Sequence, residues 1–359
     1  MRARVAIIGL GLIGGSLGMA FSNSEQVELI YGFDSDSETV QRALEMEAIH
    51  CTGTLEAVVQ DADFVFICTP LKSVKGVIPS IAAYLKPGCV VTDVSSTKEQ
   101  VMRLLSELPV GVHGIGGHPM AGSEKHGIGA ADRYLFENAV YVLTPVVGTP
   151  LEVLAALSAL VEETGARVKV MDAEQHDRVV ALISHLPHIL AMSLVNLVAQ
   201  EEDALLLAAG GFRDTTRIAS SNPELWEDIL FSNREKVSQG LDAIIQELSQ
   251  LKEELDTLQR KAVRLRLDSA RQVRDSIPQR RKGLIPEFQD VITVVPDRPG
   301  IIGQLGGWLG SHGINIVDIE ILRAREGDGG TIRLGVPTKQ EALRAVSILH
   351  EQGIKAWMS

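Results

Sequence analysis

One short segment near the amino end constrains the fold more than any other. Gly9-Leu10-Gly11-Leu12-Ile13-Gly14 directly follows the apolar run Val5-Ala6-Ile7-Ile8 and opens a helical stretch from about Ile13 to Phe21. Glycines at this spacing, between a strand and a helix, form a dinucleotide-binding turn. Gly9 allows the tight turn, Gly11 lets a pyrophosphate approach the backbone, and Gly14 lets helix and strand pack closely. The helix amino terminus, opened by Leu12 and Ile13, favours phosphate charge. Alone the pattern is weak, but Asp34 stands twenty positions beyond Gly14, closing the second apolar run Leu29-Ile30-Tyr31-Gly32-Phe33. A carboxylate there hydrogen-bonds the adenosine ribose and repels a 2′-phosphate, so the expected cofactor is NAD rather than NADP. A glycine turn with no ligand is the alternative.

Further apolar runs follow at Phe64–Cys68, stopped by Thr69-Pro70, and at Cys89–Asp93, with later strands at Tyr141–Leu143 and Arg167–Val170. Runs apolar on both faces, separated by helical patterns, predict an α/β domain with a Rossmann-type parallel sheet covered on both sides. Thr69 joins Leu12 and Ile13 in the expected cofactor site. From about Asp172 to Ser276 helical spacing takes over. Leu241, Ile244, Leu248, Leu251, Leu255 and Leu258 step by three and four, an a/d seam that predicts either an intersubunit helix or one packed within its own domain. The intersubunit reading is preferred, because the other faces are charged. After a basic connector, Gln279-Arg280-Arg281-Lys282-Gly283, the strand and helix patterns run βαββαβ to Met358, with a turn at Gly327-Asp328-Gly329-Gly330. That order predicts a separate ferredoxin-like module. The expected domains are 1–171, 172–285 and 286–359.

A length of 359 residues fits two or three such domains, and 45% apolar with 22% charged residues fits a globular enzyme. The net charge of −12 argues against a nucleic-acid or acidic-membrane partner, although a local arginine can still hold a small anion. Cys51, Cys68 and Cys89 have no metal-like spacing, and the last two sit in apolar runs, as buried inert thiols do. The chain shows no leader pattern and no uninterrupted apolar run of membrane-spanning length, so a cytoplasmic protein is expected.

The chemistry concentrates in three later segments. Gly117-His118-Pro119-Met120-Ala121-Gly122 sets one histidine among small, flexible residues after the run Val112–Gly116, where a strand would deliver it to the cofactor crevice. Such a histidine can take a proton while a nicotinamide takes a hydride. Asp93-Val94-Ser95-Ser96-Thr97-Lys98 should open into the same crevice, with Ser96 either orienting His118 or capping a helix that starts near Thr97. Ser184-His185-Leu186-Pro187-His188 places Ser184 and His188 on one helical face, with a kink or helix start at Pro187. A metal site built from these histidines with Asp172, Glu174 or Asp177 is less favoured, since an organic base suffices for alcohol oxidation. His176 reads equally as a core residue. In Gly210–Ala219, Arg217 beside a glycine bend suits a bidentate carboxylate clamp, or else forms a surface salt bridge with Asp214.

Taken together, GLGLIGGSL, TDVSSTK, GGHPMAGSE, HDRVVALISHLPH and the stretch from FRDTTRIA to Trp226 resemble the prephenate dehydrogenase family along the whole chain, and the C-terminal module resembles ACT domains. The resemblance implies hydride transfer from the ring carbinol of prephenate to NAD, with loss of carbon dioxide to give 4-hydroxyphenylpyruvate. It implies His118 as the base, Ser96 bonded to it or to the hydroxyl, and Arg217 on a substrate carboxylate. Ser184, His185 and His188 would line the site. In the ACT-like module the matching positions are Asp297, Gly300, Asn315 and Ile316, which implies feedback control by tyrosine, while assembly alone is the alternative role. A homodimer through the helical domain is expected. The rival readings are an arogenate dehydrogenase, sharing nearly every motif; a β-hydroxyacid dehydrogenase, which should carry a lysine that Asp172–Asn196 lacks; and an amino-acid sensor without turnover.

Overall fold

The computed structural model describes residues 2–122, 125–277, 289–296, 298–322 and 330–358. They divide into two compact units, Met1–Ile277 and Pro278–Ser359. The first contains an eight-stranded sheet of β1 (Ala3–Ile8), β2 (Val27–Phe33), β3 (Cys51–Thr52), β4 (Phe64–Ile67), β5 (Val90–Asp93), β6 (His113–Pro119), β7 (Val140–Pro145) and β8 (Arg167–Val170). Their spatial order is β3-β2-β1-β4-β5-β6-β7-β8. Successive residues of β1 feed opposite cores: Ile7 packs with Leu17, Phe21 and Phe66, while Ala6 and Ile8 pack with Val65, Ile67 and Val91. A strand buried on both faces must be apolar at every position, which is why these runs do not alternate.

Two features depart from the expected parallel sheet. The pair β6–β7 is antiparallel, whereas β7–β8 is parallel again. Parallel pairing needs a long crossover. Among the described residues the link from β6 to β7 carries only the short 3-10 turn Ile128–Ala130, whereas the helix Leu151–Glu162 joins β7 to β8. The two-residue β3 is too short to have left a pattern. The Cys68 and Cys89 thiols are pushed up by burial, Cys89 to about 12, as the inert reading requires.

Helices follow from Ala173. The helix Ala173–Val180 passes through a wide π turn, Ala181–His185, into Leu186–Val198, which carries Pro187 in its first turn. Proline lacks an N–H and crowds the carbonyl four residues back, and the wide turn absorbs both defects. The whole run Ala173–Val198 is long and apolar enough to cross a membrane by length and composition, which corrects the sequence expectation. Its His176, Asp177, His185 and His188 are nonetheless buried within the protein. The long helix Arg234–Asp256 stops two residues short of the predicted seam. Leu258 takes a left-handed φ of 57°, and the chain turns into Arg260–Ser276. Arg266 then clamps Glu254 in a fork at 2.9 and 3.0 Å and also pairs with Glu247. Along the seam Leu248, Leu255 and Leu258 are exposed.

The second unit is an antiparallel sheet ordered β10-β11-β9-β12, from β9 (Gln289–Val295), β10 (Asp318–Leu322), β11 (Gly330–Val336) and β12 (Lys355–Met358). The helices Ile301–Ser311 and Lys339–Glu351 follow β9 and β11, giving the expected βαββαβ order, and they close a core around Leu305, Leu309, Leu334 and Leu349. The strand β10 begins only at Asp318, so Asn315 and Ile316 lie in the loop before it. Asn315 is exposed, and Ile316 packs on the core. Gly300 holds a φ of 86° where the first helix begins. Asp297, the basic connector 279–283 and the turn residues 327–329 lie outside the described residues.

Gly18, on the helix Leu12–Phe21, offers a sharp packing test. A Cβ there would stand 2.1 Å from the Ala48 carbonyl oxygen. Gly18→Ala should gain about 1 kcal/mol in helix propensity, but the backbone contact should cost roughly 1–3 kcal/mol. The expected result is a lower urea midpoint; a higher one would show that this helix does not sit tight on the Ala48 turn.

Candidate active site

The strand order reverses between β1 and β4, and in open sheets ligands bind at the carboxyl ends beside such a switch. A cleft of about 690 Å³ lies there. Gly9, Gly11, Leu12, Ile13, Asp34, Thr69, Ser96 and His118 all line it, and Leu225 and Ile229 close it from the helical side. Gly9 has a φ of 92°, and a Cβ on it would meet the Cys68 carbonyl at 2.7 Å. Gly14 stands behind the turn, where a Cβ would meet the Gly9 oxygen at 1.9 Å. A Cβ on Gly11 would meet nothing, which leaves room for a ligand against the backbone.

Asp34 braces the turn, because its carboxylate accepts from the Leu10 N–H at 2.8 Å and the Asp36 N–H at 3.1 Å. A carboxylate has about four acceptor sites, so acceptor capacity remains for ribose hydroxyls. The Thr69 hydroxyl oxygen is buried with no hydrogen-bond partner among the described residues. Such an orphan costs about 1–3 kcal/mol, which a polar ligand in the cleft would relieve.

Behind His118 lies a buried carboxylate. Asp93, the last residue of β5, accepts from the Gly117 N–H at 3.0 Å, the Ser95 N–H at 2.8 Å and the Lys98 ammonium at 2.5 Å. Both Asp93 and Lys98 are fully buried. Burial pulls the Lys98 pKa down, against the opposing pull of Asp93 and Asp177. The glycines before His118 serve packing rather than flexibility, contrary to expectation: a Cβ on Gly117 would lie 2.4 Å from the Asp93 carbonyl oxygen.

His118 itself leads into a chain of side chains. Its Nδ1 lies 2.8 Å from His176 Nε2, and His176 Nδ1 lies 2.7 Å from Asp177 Oδ1. Asp177 also accepts the N–H groups of Lys98 and Glu99, at 2.7 and 2.9 Å. It thereby caps the helix Glu99–Leu105, a role that the sequence reading offered to Ser96. Asn233 Nδ2 donates to the Asp177 carbonyl at 2.7 Å and lies 3.3 Å from His185 Nδ1. Burial holds the His118 pKa well below its ordinary 6.5, reinforced by His176, Lys98 and His185. Burial likewise takes His185 to about 4 and lowers His188.

Ser184, His185, His188 and Arg217 do not line the cleft. His188 stacks on Trp226 at 3.5 Å between ring centroids, with its Nδ1 buried and unpartnered among the described residues. His185 meets the same indole edge-on. Ser184 sits half-buried in the wide turn, whose i, i+5 bonding breaks the i, i+4 spacing assumed for Ser184 and His188. Arg217 is exposed on the 3-10 turn Arg217–Ser220. The sequence reading did not assign Asp93, Lys98 or Asp177 to the site. Asp93 and Lys98 flank the Ser95-Ser96-Thr97 triplet it singled out, but nothing along the chain links them to Gly117. The carboxylates of the metal alternative are otherwise engaged, with Asp177 in the histidine chain and Asp172 capping its own helix through the Gln175 N–H.

Three family descriptions match in series: the nucleotide-binding domain of prephenate dehydrogenase over residues 17–170, its dimerization domain over 172–267, and an ACT domain over 290–346. A prephenate dehydrogenase of Bacillus subtilis is 36% identical over 96% of this chain and 95% of its own length. The crystal structure of A. aeolicus prephenate dehydrogenase in complex with hydroxyphenyl propionate and NAD+ superposes with a TM-score of 0.72 at 31% identity, covering 77% of this chain and 99% of that one. Synechocystis arogenate dehydrogenase superposes at 0.68 with 32% identity, covering 76% of this chain and 99% of that one. With these similarities spanning both units, the chain belongs to the prephenate dehydrogenase family.

Proposed function

We propose that this protein oxidises prephenate with NAD and releases carbon dioxide and 4-hydroxyphenylpyruvate. The observation that carries the reading is His118, held by its Nδ1 at the edge of the dinucleotide cleft, so that Nε2 is the nitrogen left for a substrate hydroxyl. Gly9, Gly11, Leu12, Ile13 and Gly14 would hold the pyrophosphate end of NAD, Asp34 the ribose, and Thr69 would give its orphaned hydroxyl to the ligand. Bound NAD supplies the hydride acceptor. His118 takes the hydroxyl proton on Nε2 as the ring carbinol carbon gives up its hydride, and the ring then loses its carboxylate as carbon dioxide. The electron pair left by that bond completes the aromatic ring, and the ring oxygen takes its proton back from His118 to give the phenol. Depression of the His118 pKa keeps the base unprotonated at neutral pH.

Ser96, in the cleft lining, is suited to bond the reacting hydroxyl or the His118 ring. Arg217, on the separate turn Arg217–Ser220, is the candidate clamp for a substrate carboxylate, and Ser184, His185 and His188 on the run Ala173–Val198 would line the site with it. The similarity to an arogenate dehydrogenase keeps that substrate as the second reading, and the NADH assay with each substrate distinguishes the two. Exposed Leu182, Ile183, Leu197, Leu206, Leu248 and Leu255 supply apolar surface for a homodimer through the helical part, in line with the dimerization-domain match. The ACT match supports an effector site in the second unit, with tyrosine as the ligand and Gly300, Asn315 and Ile316 near it. Free cysteines and a net charge of −12 accord with a cytoplasmic enzyme without nucleic-acid or membrane partners.

The primary assay is NADH formation from prephenate. His118→Asn should cut kcat by about 100-fold or more with NAD affinity nearly intact. In the parent enzyme kcat/KM should fall with acidification, its half-point below pH 6.5, because only the unprotonated ring accepts a proton. Turnover retained in the variant would remove His118 from the mechanism. Arg217→Ala should chiefly raise the KM for prephenate, and an unchanged KM would count against the clamp. A chain ending at Ile277 should keep turnover and lose inhibition by tyrosine; inhibition that survives the truncation would put tyrosine in the catalytic cleft.

A further inference from the structure

The chain from His118 to Asp177 does more than fill space. We propose that His176 and Asp177 are positioning residues that lock the His118 ring in one tautomer, with the proton on Nδ1 and the lone pair on Nε2. The inference rests on the reading of His118 as the base.

The argument begins at Asp177, which is 1% exposed. Its carboxylate already accepts two backbone N–H groups, from Lys98 and Glu99, and these cannot reverse direction. An ionised carboxylate has acceptor sites only, so the 2.7 Å contact requires His176 Nδ1 to donate. A ring with its single proton on Nδ1 has a lone pair on Nε2. The 2.8 Å contact between the rings then requires His118 Nδ1 to donate, and His118 Nε2 is left as an acceptor. Each link is set by the one before it, and the fixed end is a pair of main-chain amides.

The geometry suits the role. His176 is 1% exposed, so water cannot substitute for it at His118 Nδ1. The Asn233 side chain donates to the main-chain carbonyl of Asp177 and so ties the helix Ala173–Val180 to the start of the helix Arg234–Asp256. The charged and titratable groups facing His118 are His176, Lys98 and His185, and Lys98 is itself paired with Asp93. Lys98 cannot replace His176 as an acceptor, because it has only donors and its ammonium is taken by Asp93, while His185 Nδ1 lies against the Asn233 amide rather than His118. Without His176, a His118 proton on Nδ1 loses its partner, and the ring is free to carry its proton on Nε2, where it blocks the base.

Nitrogen NMR of the full-length enzyme with labelled histidine reads the tautomer directly and needs no substrate, so it is independent of whether prephenate is the substrate. The expected spectrum has His118 protonated at Nδ1 and bare at Nε2. In His176→Leu the Nε2-protonated form should appear, and kcat should fall at least about 10-fold with little change in KM. In His176→Gln an amide oxygen can again accept from Nδ1, and the original tautomer and much of kcat should return. A parent enzyme with Nε2 protonated would overturn the proposal whether or not the variants fold. So would a His176→Leu enzyme whose His118 tautomer and kcat match the parent's.

Discussion

A carboxylate removed from water is tolerated only when its acceptor sites are filled, because the loss of hydration costs several kcal/mol. The first unit is organised around two such groups. Asp93 gathers the Gly117 amide, the Ser95 amide and the Lys98 ammonium, while Asp177 gathers His176 and the amides of Lys98 and Glu99. Lys98 touches both, through its side chain in one case and its main chain in the other. The turn Asp93–Lys98 is therefore fixed from the sheet side and from the helical side together. Removing either carboxylate would strand several buried donors, so the catalytic strand, the sheet and the helical layer have little freedom to move separately.

The histidines sit inside this frame as neutral groups. Burial dominates the downward shifts at His118, His185 and His188, and the buried Lys98 ammonium adds to it at His118. An imidazole held in this way favours its unprotonated form and is a weak base. For the base proposed at His118 that weakness suits the chemistry: loss of carbon dioxide aromatises the ring, so the proton transfer need not supply the driving force. The wide π turn Ala181–His185 absorbs the defects of Pro187, and the His188 ring beyond it stacks on Trp226. Single wide turns of this kind are frequent at functional sites.

The second unit follows simpler rules. Alternating burial along β9 turns Val291, Thr293 and Val295 inward, and two amphipathic helices cover that face. Arg333 on β11 holds Asp290 of β9 and both Asp318 and Glu320 of β10, at 2.8 to 2.9 Å. Such a sheet and its core could arise from many sequences, so its fold alone identifies no ligand.

The local content of the chain was legible in its sequence. The glycine turn, Asp34, the apolar runs, the helix irregularity at Pro187 and the βαββαβ order all follow from periodicity, sterics and turn chemistry, which act over a few residues. The residues lining the cleft, from Gly9 to His118, were legible for the same reason, because each ends a strand at the same edge. Tertiary structure decided the rest. Whether β7 runs parallel to β6, which partner caps the helix Glu99–Leu105, and whether His176 is core or site all depend on contacts between residues 22 to 79 positions apart. No local pattern encodes such pairings. A buried donor must find an acceptor, but only the packed fold determines which acceptor lies within 3 Å.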